Sequence, residues 1–287
     1  MDIGLALGGG GARGIAHIGI LKILEQEKIR IGAITGTSIG GLIGAVYLCG
    51  WSPDEMLERF AKIDQPKLYG HMKDEEPSLL GLAGGTEILT EMLGDRTFSD
   101  LKIPFAVTAV DLEVGQTIEI SHGRLIDAVL ATIALPGIFP ARRWGDRLLV
   151  DGGVGNPVPV DLVRKLKPGL PVVAVVLTQH KQASVTVPVP EIPGAAPVID
   201  YISRLRLAKA LNVFIKSIDV GAKLLAETRL ELDDPDLIIR PDLGNIGLLD
   251  NVNIPDVFTL GKEAALAHIE ELKRISTFGY RIKKILS

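Results

Sequence analysis

A serine in this sequence lies in a pattern that is typical of nucleophilic catalysis. The pattern is G-x-S-x-G and consists of Gly36, Thr37, Ser38, Ile39 and Gly40. An apolar run at 31–34 predicts a strand before it, and the apolar run 39–48 predicts a helix after it. In that context the chain reverses sharply at the serine, and its hydroxyl stands at a helix N-terminus that favours developing negative charge. We therefore predict that Ser38 is a nucleophile for acyl transfer.

An aspartate is the best candidate for the base that would activate this serine. Asp151 follows the apolar run 147–150, which predicts a buried strand, and Gly152 and Gly153 come next. We expect its carboxylate at the sheet edge where α/β active sites form, with a pKa raised by partial burial. The alternative is a turn-forming Asp-Gly pair. The five histidines, at 17, 71, 122, 180 and 268, stand in no context that suggests a general base.

A glycine-rich turn near the start of the chain could meet the negative charge of such a reaction. It contains Gly9, Gly10, Gly11, Arg13 and Gly14. Backbone N–H groups in such a turn can form an oxyanion hole for a tetrahedral intermediate. The same letters fit the G-x-G-x-x-G pattern, so a nucleotide-binding protein of the Rossmann type is the alternative. That alternative needs an acid at the end of the second strand, where the sequence has Ile-Thr-Gly at 34–36.

The elements around these residues alternate between strand and helix patterns. Strands are predicted at 3–7, 31–34, 105–111, 117–121, 147–150 and 172–178, and helices at 14–28, 39–48, 53–63, 86–93, 125–133, 201–230 and 259–275. The segments 64–86 and 181–198, rich in glycine or proline, are predicted as loops. The early β-α-β-α order predicts an α/β fold with parallel strands and right-handed crossovers.

The three motifs together resemble the patatin-like phospholipase family. That family combines a G-G-G-x-[KR]-G loop, a G-x-S-x-G elbow one β-α unit later and a D-G-[AG] acid, which match residues 9–14, 36–40 and 151–153. The proline-rich block 131–141 also matches, and the segment 236–247 resembles the closing strand of bacterial members. One departure is Leu7-Gly8, where many relatives have an aspartate before the glycines. The resemblance covers residues 3–178 well.

This resemblance implies a three-layer α/β/α fold with a mainly parallel sheet, in one domain spanning 1–287. It also implies a serine ester hydrolase for lipids that uses a Ser38–Asp151 dyad without histidine, metal or cofactor. Gly9, Gly10, Gly11 and Arg13 would form the oxyanion hole, with Arg13 steadying that loop or a lipid phosphate as the alternative. A catalytically silent relative acting as a scaffold is a further alternative.

Composition indicates the expected surroundings of the protein. The net charge of −4 and the absence of a basic, aromatic-rich block give no reason to expect nucleic acid. The single cysteine fits a reducing compartment, and no signal peptide is recognised, so we expect a cytoplasmic protein. The uncharged run 31–53 is expected to be a strand plus a buried helix. The segment 181–198 and the basic, apolar tail 273–287 are candidates for transient contact with the inner face of a membrane, with a solvated helix end as the alternative for the tail. We expect the long helix 201–230 to pack in the core or to contact another subunit. The sequence leaves open whether the chain forms an oligomer.

Overall fold

The fold is described from a computed structural model that covers residues 2–73, 75–178, 197–277 and 280, with backbone only for 197–208. The predicted loop at 181–198 lies outside these residues apart from its last two, which begin a helix. Most of the basic tail also lies outside them. Within the covered ranges, no helix is long and apolar enough to cross a bilayer.

One eight-stranded sheet organises the described residues. Its strands are β1 Asp2–Leu7, β2 Arg30–Thr37, β3 Phe105–Asp111, β4 Gln116–Ile120, β5 Arg142–Trp144, β6 Arg147–Asp151, β7 Val172–Val175 and β8 Leu237–Ile239. The order across the sheet is β5-β6-β3-β2-β1-β7-β8, and β4 also pairs with β3. The five strands from β3 to β8 along this order are parallel, whereas β4, β5 and β6 add antiparallel pairs. The predicted mainly parallel sheet is therefore confirmed.

Helices cover both faces of the sheet, which gives the predicted three layers. The helices are α1 Ile15–Gln26, α2 Ile39–Leu48, α3 Pro53–Ala61, α4 Ala83–Leu93, α5 Leu125–Thr132, α6 Val160–Leu166, α7 Pro197–Asp233, α8 Ile254–Ala267 and α9 Ile269–Ile275. The larger core lies between the sheet and the layer that contains α1, α2, α5 and α8. A smaller core joins the other sheet face to α6 and the end of α7, through residues such as Val163, Ala226 and Leu230.

Most predicted elements are present, and some differ from the prediction in their bounds. β2 extends to Thr37, beyond the predicted end at residue 34, because it pairs with β3 as far as Thr108. α4 begins at Ala83 within the predicted loop, and 65–68 form a short 3₁₀ turn there. The last predicted helix is two helices, α8 and α9, and α8 begins at Ile254 because Asn253 caps it. The short elements β5 and α6 were not predicted.

Candidate active site

Ser38 occupies a strained turn between β2 and α2. Its backbone has φ +54° and ψ −126°, a left-handed conformation that side chains other than glycine rarely adopt. Its N–H donates to the Thr132 Oγ1 at 2.9 Å, which helps to hold this conformation. The half-buried side chain stands at the carboxyl end of β2 and at the N-terminus of α2. The sharp reversal predicted for a nucleophile elbow is therefore present.

The two outer glycines of the elbow are required by close packing. A Cβ on Gly36 would overlap the backbone of Gly41 in the first turn of α2. A Cβ on Gly40 would overlap the Leu7 carbonyl oxygen at the end of β1. Because backbone atoms cannot yield as a flexible side chain does, any larger residue would push α2 away from the sheet. These glycines therefore bring the helix N-terminus close to Ser38.

Asp151 lies beside Ser38, where it accepts two hydrogen bonds. The Ser38 Oγ donates to its Oδ2 at 2.5 Å, and the Gly153 N–H donates to its Oδ1 at 2.7 Å. The residue is only 4% exposed. Burial raises the pKa of the Asp151 carboxyl to about 6, although both hydrogen bonds favour the ionised form. A carboxylate with this pKa is a stronger base than an ordinary aspartate and is still ionised near neutral pH.

Asp151 reaches the serine by a route that the sequence did not predict. β6 runs antiparallel to β3, and Asp151 pairs with Ala109. The first residues of β6 therefore lie past the carboxyl end of β3, and the strand runs back toward Ser38. The expectation that Asp151 follows the carboxyl end of a buried strand is correct. However, that strand runs opposite to the parallel strands, and its last residue therefore lies level with the end of β2.

Two threonines support this junction: Thr37, which belongs to the predicted elbow motif, and Thr108, which belongs to no predicted site. The Thr37 hydroxyl donates to the Asn156 carbonyl oxygen at 2.7 Å and lies 2.7 Å from the Thr108 hydroxyl. Since Thr37 has a single hydroxyl proton, Thr108 is the donor of the second bond. A Cβ on Gly152 would overlap Thr108, so Gly152 allows the turn after Asp151 to lie against β3. The only sequence signal for Thr108 was its place in a buried strand.

The glycine-rich loop offers two free N–H groups beside Ser38. The Gly9 N–H donates to the Pro157 carbonyl oxygen at 3.0 Å, so the prediction that Gly9 is an oxyanion donor is wrong. Gly10 and Gly11 both line the cavity in front of Ser38. Their N–H groups have no hydrogen-bond partner among the described residues. They are thus the two members of the predicted trio that can donate to a substrate.

Three contacts fix the position of this loop. Gly11 has φ +57°, and a Cβ there would overlap the Leu248 carbonyl oxygen. The same carbonyl accepts the Ala12 N–H at 2.8 Å. A Cβ on Gly14 would overlap Ile39, so this glycine allows the loop to lie against the first residue of α2. Leu248 was in no predicted element or site; the segment 236–247 just before it was predicted only as a resemblance to a closing strand.

Arg13 is a structural anchor of the loop. Its side chain is 1% exposed, donates to the Leu177 carbonyl oxygen at 3.1 Å, and forms an ion pair with Asp219 of α7 at 2.7 Å. With both partners inside the protein, the guanidinium does not point into an oxyanion position. The assignment of Arg13 to the oxyanion hole or to a lipid phosphate is therefore wrong, and the alternative that it steadies the loop is correct.

His17 is the histidine closest along the chain to the loop, and it is a packed residue. Its Nε2 lies 2.8 Å from the Gly8 carbonyl oxygen, and the side chain is fully buried. Burial lowers the pKa of the imidazole to about 4, so the ring is neutral and donates its Nε2 proton to that oxygen. His17 fixes the start of the glycine loop and makes no hydrogen bond to Ser38 or Asp151.

A cavity of about 280 Å³ opens in front of the Ser38 hydroxyl. Its walls are mainly aliphatic and aromatic, and come from α3, α4, α5, α7 and the loop around residue 250; they include Phe60, Leu68, Tyr69, Leu89, Phe139 and Ile218. Within the described lining, the charged side chains are Asp151, Asp219 and Asp250, and none is cationic. The segment 64–86, predicted as a plain loop, therefore forms part of an apolar wall.

The fold and this arrangement define a serine-elbow site on a three-layer α/β/α sheet. The sequence model described as Patatin-like phospholipase matches residues 5–164, more than half of the chain and a range that includes both Ser38 and Asp151. The chain therefore belongs to the patatin-like phospholipase family, a family of lipid-ester hydrolases.

Curated relatives extend this similarity. An uncharacterized NTE family protein of Mycobacterium tuberculosis is 34% identical over 161 residues, which is 55% of this chain and 44% of that protein. A second such protein of this organism is 27% identical over 94% of this chain and 46% of its own length. The neuropathy target esterase of Drosophila melanogaster is 30% identical over 58% of this chain and 12% of its own. The chain thus spans less than half the length of these relatives.

A solved structure has a similar fold. The crystal structure of VipD from Legionella pneumophila matches with a TM-score of 0.52 at 12% sequence identity, over 94% of this chain and 67% of that one. At this identity the match supports the three-layer α/β/α architecture alone.

Proposed function

We propose that the chain is a serine hydrolase that cleaves acyl esters of lipids through an acyl-Ser38 intermediate. The observation that carries this proposal is the hydrogen bond from the Ser38 Oγ to the Asp151 Oδ2, at the end of an apolar cavity. A hydroxyl bonded to a carboxylate of raised pKa is poised to lose its proton. Membership of the patatin-like phospholipase family supports the same chemistry.

In the first half of the reaction, the Ser38 oxygen attacks the ester carbonyl while its proton passes to Asp151. The carbonyl oxygen becomes negative and accepts hydrogen bonds from the free N–H groups of Gly10 and Gly11. The tetrahedral intermediate then collapses, and the bond to the alcohol oxygen breaks. Asp151 returns the proton to the leaving alkoxide, so an alcohol departs and the acyl group stays on Ser38.

In the second half, water replaces the alcohol. Asp151 accepts a proton from the water as the water oxygen attacks the acyl carbonyl, and the same two N–H groups meet the second oxyanion. Collapse of this intermediate breaks the bond to Ser38, whose oxygen takes the proton from Asp151. The free acid leaves, and the dyad returns to its starting state.

The cavity walls support a substrate with an apolar acyl chain. Aliphatic and aromatic side chains can bury hydrocarbon, which stabilises the bound ester by about 25 cal/mol per Å² of apolar surface. The head group would then lie toward solvent. We also propose that the protein meets such substrates at a membrane surface, since water-insoluble esters are held there.

Turnover of a short-chain p-nitrophenyl ester by wild type, Ser38→Ala and Asp151→Asn tests this proposal. We expect Asp151→Asn to lose roughly 10²–10⁴-fold in kcat, the usual contribution of a general base, and Ser38→Ala to lose at least as much. Ser121→Ala is a matched control, because this serine is exposed in a loop and should leave the rate unchanged. Equal rates for Ser38→Ala and wild type would contradict the mechanism.

Ester turnover and a thermal-shift measurement with NAD separate the two alternatives. A catalytically silent scaffold would give no turnover that depends on Ser38, whatever the ester. A Rossmann-type nucleotide binder would show a thermal shift with NAD, whereas a hydrolase with an apolar cavity should show none.

A further inference from the structure

α7 lines one side of the cavity and presents two different faces. One face is buried: Ile215 packs in a cluster with Leu135 and Ile138, Ile218 and Ala222 line the cavity, and Leu230 packs against the sheet. This face explains why the helix remains in place. It does not explain the apolar residues on the opposite face, which are exposed.

The outward face of α7 carries a stripe of exposed apolar side chains. Val213 is 66% exposed, Val220 is 43% exposed and Leu224 is 63% exposed. These residues are seven and four positions apart, so they lie along one line of a helix. Phe214 beside them is 43% exposed. Since contiguous exposed apolar surface is uncommon on a free protein surface, this stripe indicates a contact site.

Between Lys209 and Leu224 this face carries exposed lysines and no exposed acid. Between residues 209 and 228 the exposed charged residues of α7 are Lys209 and Lys216. The acids Asp219 and Glu227 are paired, with Arg13 and Arg240 respectively. Glu231, seven residues beyond Leu224 on the same line of the helix, is exposed, so the basic part of the face ends at Leu224. The whole chain has a net charge of −4, so a face with lysines and no exposed acid between 209 and 228 is a local feature.

We propose that the outward face of α7, defined by Lys209, Val213, Lys216, Val220 and Leu224, docks on an anionic lipid surface. Apolar residues flanked by lysines match the interfacial zone of such a membrane, where the side chains enter the acyl boundary and the lysines meet lipid phosphates. A second copy of the chain is the alternative occupant. In a symmetric contact centred on Val220, Lys209 would face Glu231 of the other copy, so the test below includes a second copy as an outcome.

Docking in this way would place the cavity close to the lipid. The inner face of α7 lines the cavity and the outer face carries the stripe, so one helix diameter of about 10–12 Å separates them. The helix also packs beside the 152–154 turn, where Val154 lines the cavity and is 48% exposed. This inference rests on the proposed function for its purpose only, because the docking itself requires no catalysis. The buried inner face agrees with the expectation that the long helix packs in the core, and we assign its outer face to lipid instead of a subunit contact.

Flotation of the full chain with vesicles tests the inference. One vesicle type is pure phosphatidylcholine, and the other contains equal parts of phosphatidylcholine and phosphatidylglycerol. We expect binding to the anionic vesicles, weakened roughly tenfold by Lys216→Glu and by Leu224→Glu, because each change places a carboxylate against lipid phosphates. The control is Leu266→Glu, which changes an exposed leucine of α8 on the other side of the sheet.

Circular dichroism and turnover of a soluble short-chain ester should be unchanged in all three variants, which keeps loss of folding apart from loss of docking. Equal binding to both vesicle types, or equal loss in Leu266→Glu and Leu224→Glu, would overturn the inference. A dimer in size-exclusion chromatography that Leu224→Glu dissociates, without vesicle binding, would assign the face to a second copy. Any of these results could occur with normal Ser38-dependent turnover, so the inference and the proposed function can fail separately.

Discussion

The pKa of Asp151 predicts how activity depends on pH. The carboxyl must be ionised to accept the Ser38 proton, and burial raises its pKa from 3.8 to about 6. The ionised fraction, and with it kcat/KM, should then fall to about one half at pH 6 and about one tenth at pH 5. An aspartate with its ordinary pKa would keep over about 90% of its activity at pH 5. The difference between the two curves is therefore large in a range where most proteins remain folded.

The assay measures kcat/KM for a neutral short-chain ester between about pH 4.5 and pH 8, since kcat/KM reports the pKa values of the free enzyme. Released acid is quantified by chromatography, because p-nitrophenol has an ionisation of its own. Tryptophan fluorescence at each pH shows that the fold is retained, and the chain has Trp51 and Trp144 as reporters.

Two results would refute this reasoning. A flat profile down to pH 5 would show that Asp151 is not the base or that its burial does not raise its pKa. A histidine base would also inflect near pH 6.5, and added methanol distinguishes the two groups. Ionisation of a carboxyl creates charge, so methanol should raise its apparent pKa, whereas ionisation of an imidazolium creates no new charge. An inflection that does not rise with methanol would assign the base to histidine.

Three further predictions concern the residues that hold the glycine loop. In Gly11→Ala, an alanine must adopt the left-handed backbone of Gly11, and its Cβ would overlap the Leu248 carbonyl oxygen. We expect kcat/KM to fall about 10²–10³-fold with little change in circular dichroism. A normal rate would exclude the N–H of residue 11 as an oxyanion donor. Asp219→Asn leaves the buried charge of Arg13 unpaired, so the free energy of unfolding measured in urea should drop by about 3–5 kcal/mol. A drop below about 1 kcal/mol would mean that water screens the ion pair. His17 has a pKa of about 4 in the fold and about 6.5 when unfolded, so the unfolded state binds more protons and stability is lost as pH falls from 6.5 to 4. His17→Gln should remove up to about 3 kcal/mol of this loss in urea titrations, and identical pH dependence in both proteins would contradict the assignment.

Local patterns predicted the elements that are long and strongly apolar. The helix Ile39–Leu48 and the strand Phe105–Asp111 have the predicted bounds because each is buried along its length and flanked by turn residues. β5 has three residues and α6 has seven, so neither contains enough periodicity to be recognised. The start of α8 did have a signal, Asn253 followed by Pro255, although the apolar periodicity favoured a later start.

The candidate site shows the same division. Ser38 and Asp151 were identified because their neighbouring glycines form compact motifs, and the structure brings the two side chains together. The direction of β6 depends on its pairing with β3, which no local pattern encodes. The partner of the Gly9 N–H likewise lies far along the chain, at Pro157, and determines which glycines remain free to donate.

Arg13 is the residue for which the local sequence was least informative. A basic residue in a glycine loop suggests contact with a phosphate or an oxyanion. Only the tertiary structure reveals that Arg13 forms an ion pair with Asp219, which is 206 residues later in the sequence. Burial then excludes it from the substrate. The cavity was also beyond prediction, because its walls combine segments such as 64–86 and 248–254 that look like plain loops in the sequence.

The central claim is that Ser38 carries the acyl group, and mass spectrometry of the acylated protein tests it most directly. The wild-type chain is mixed with a p-nitrophenyl ester, quenched in acid before the ester is exhausted, digested and analysed by peptide mass. The account predicts one added acyl group on the peptide that contains Ser38, and none in Ser38→Ala. An acyl group on another residue, or rapid turnover without any adduct on this peptide, would contradict it.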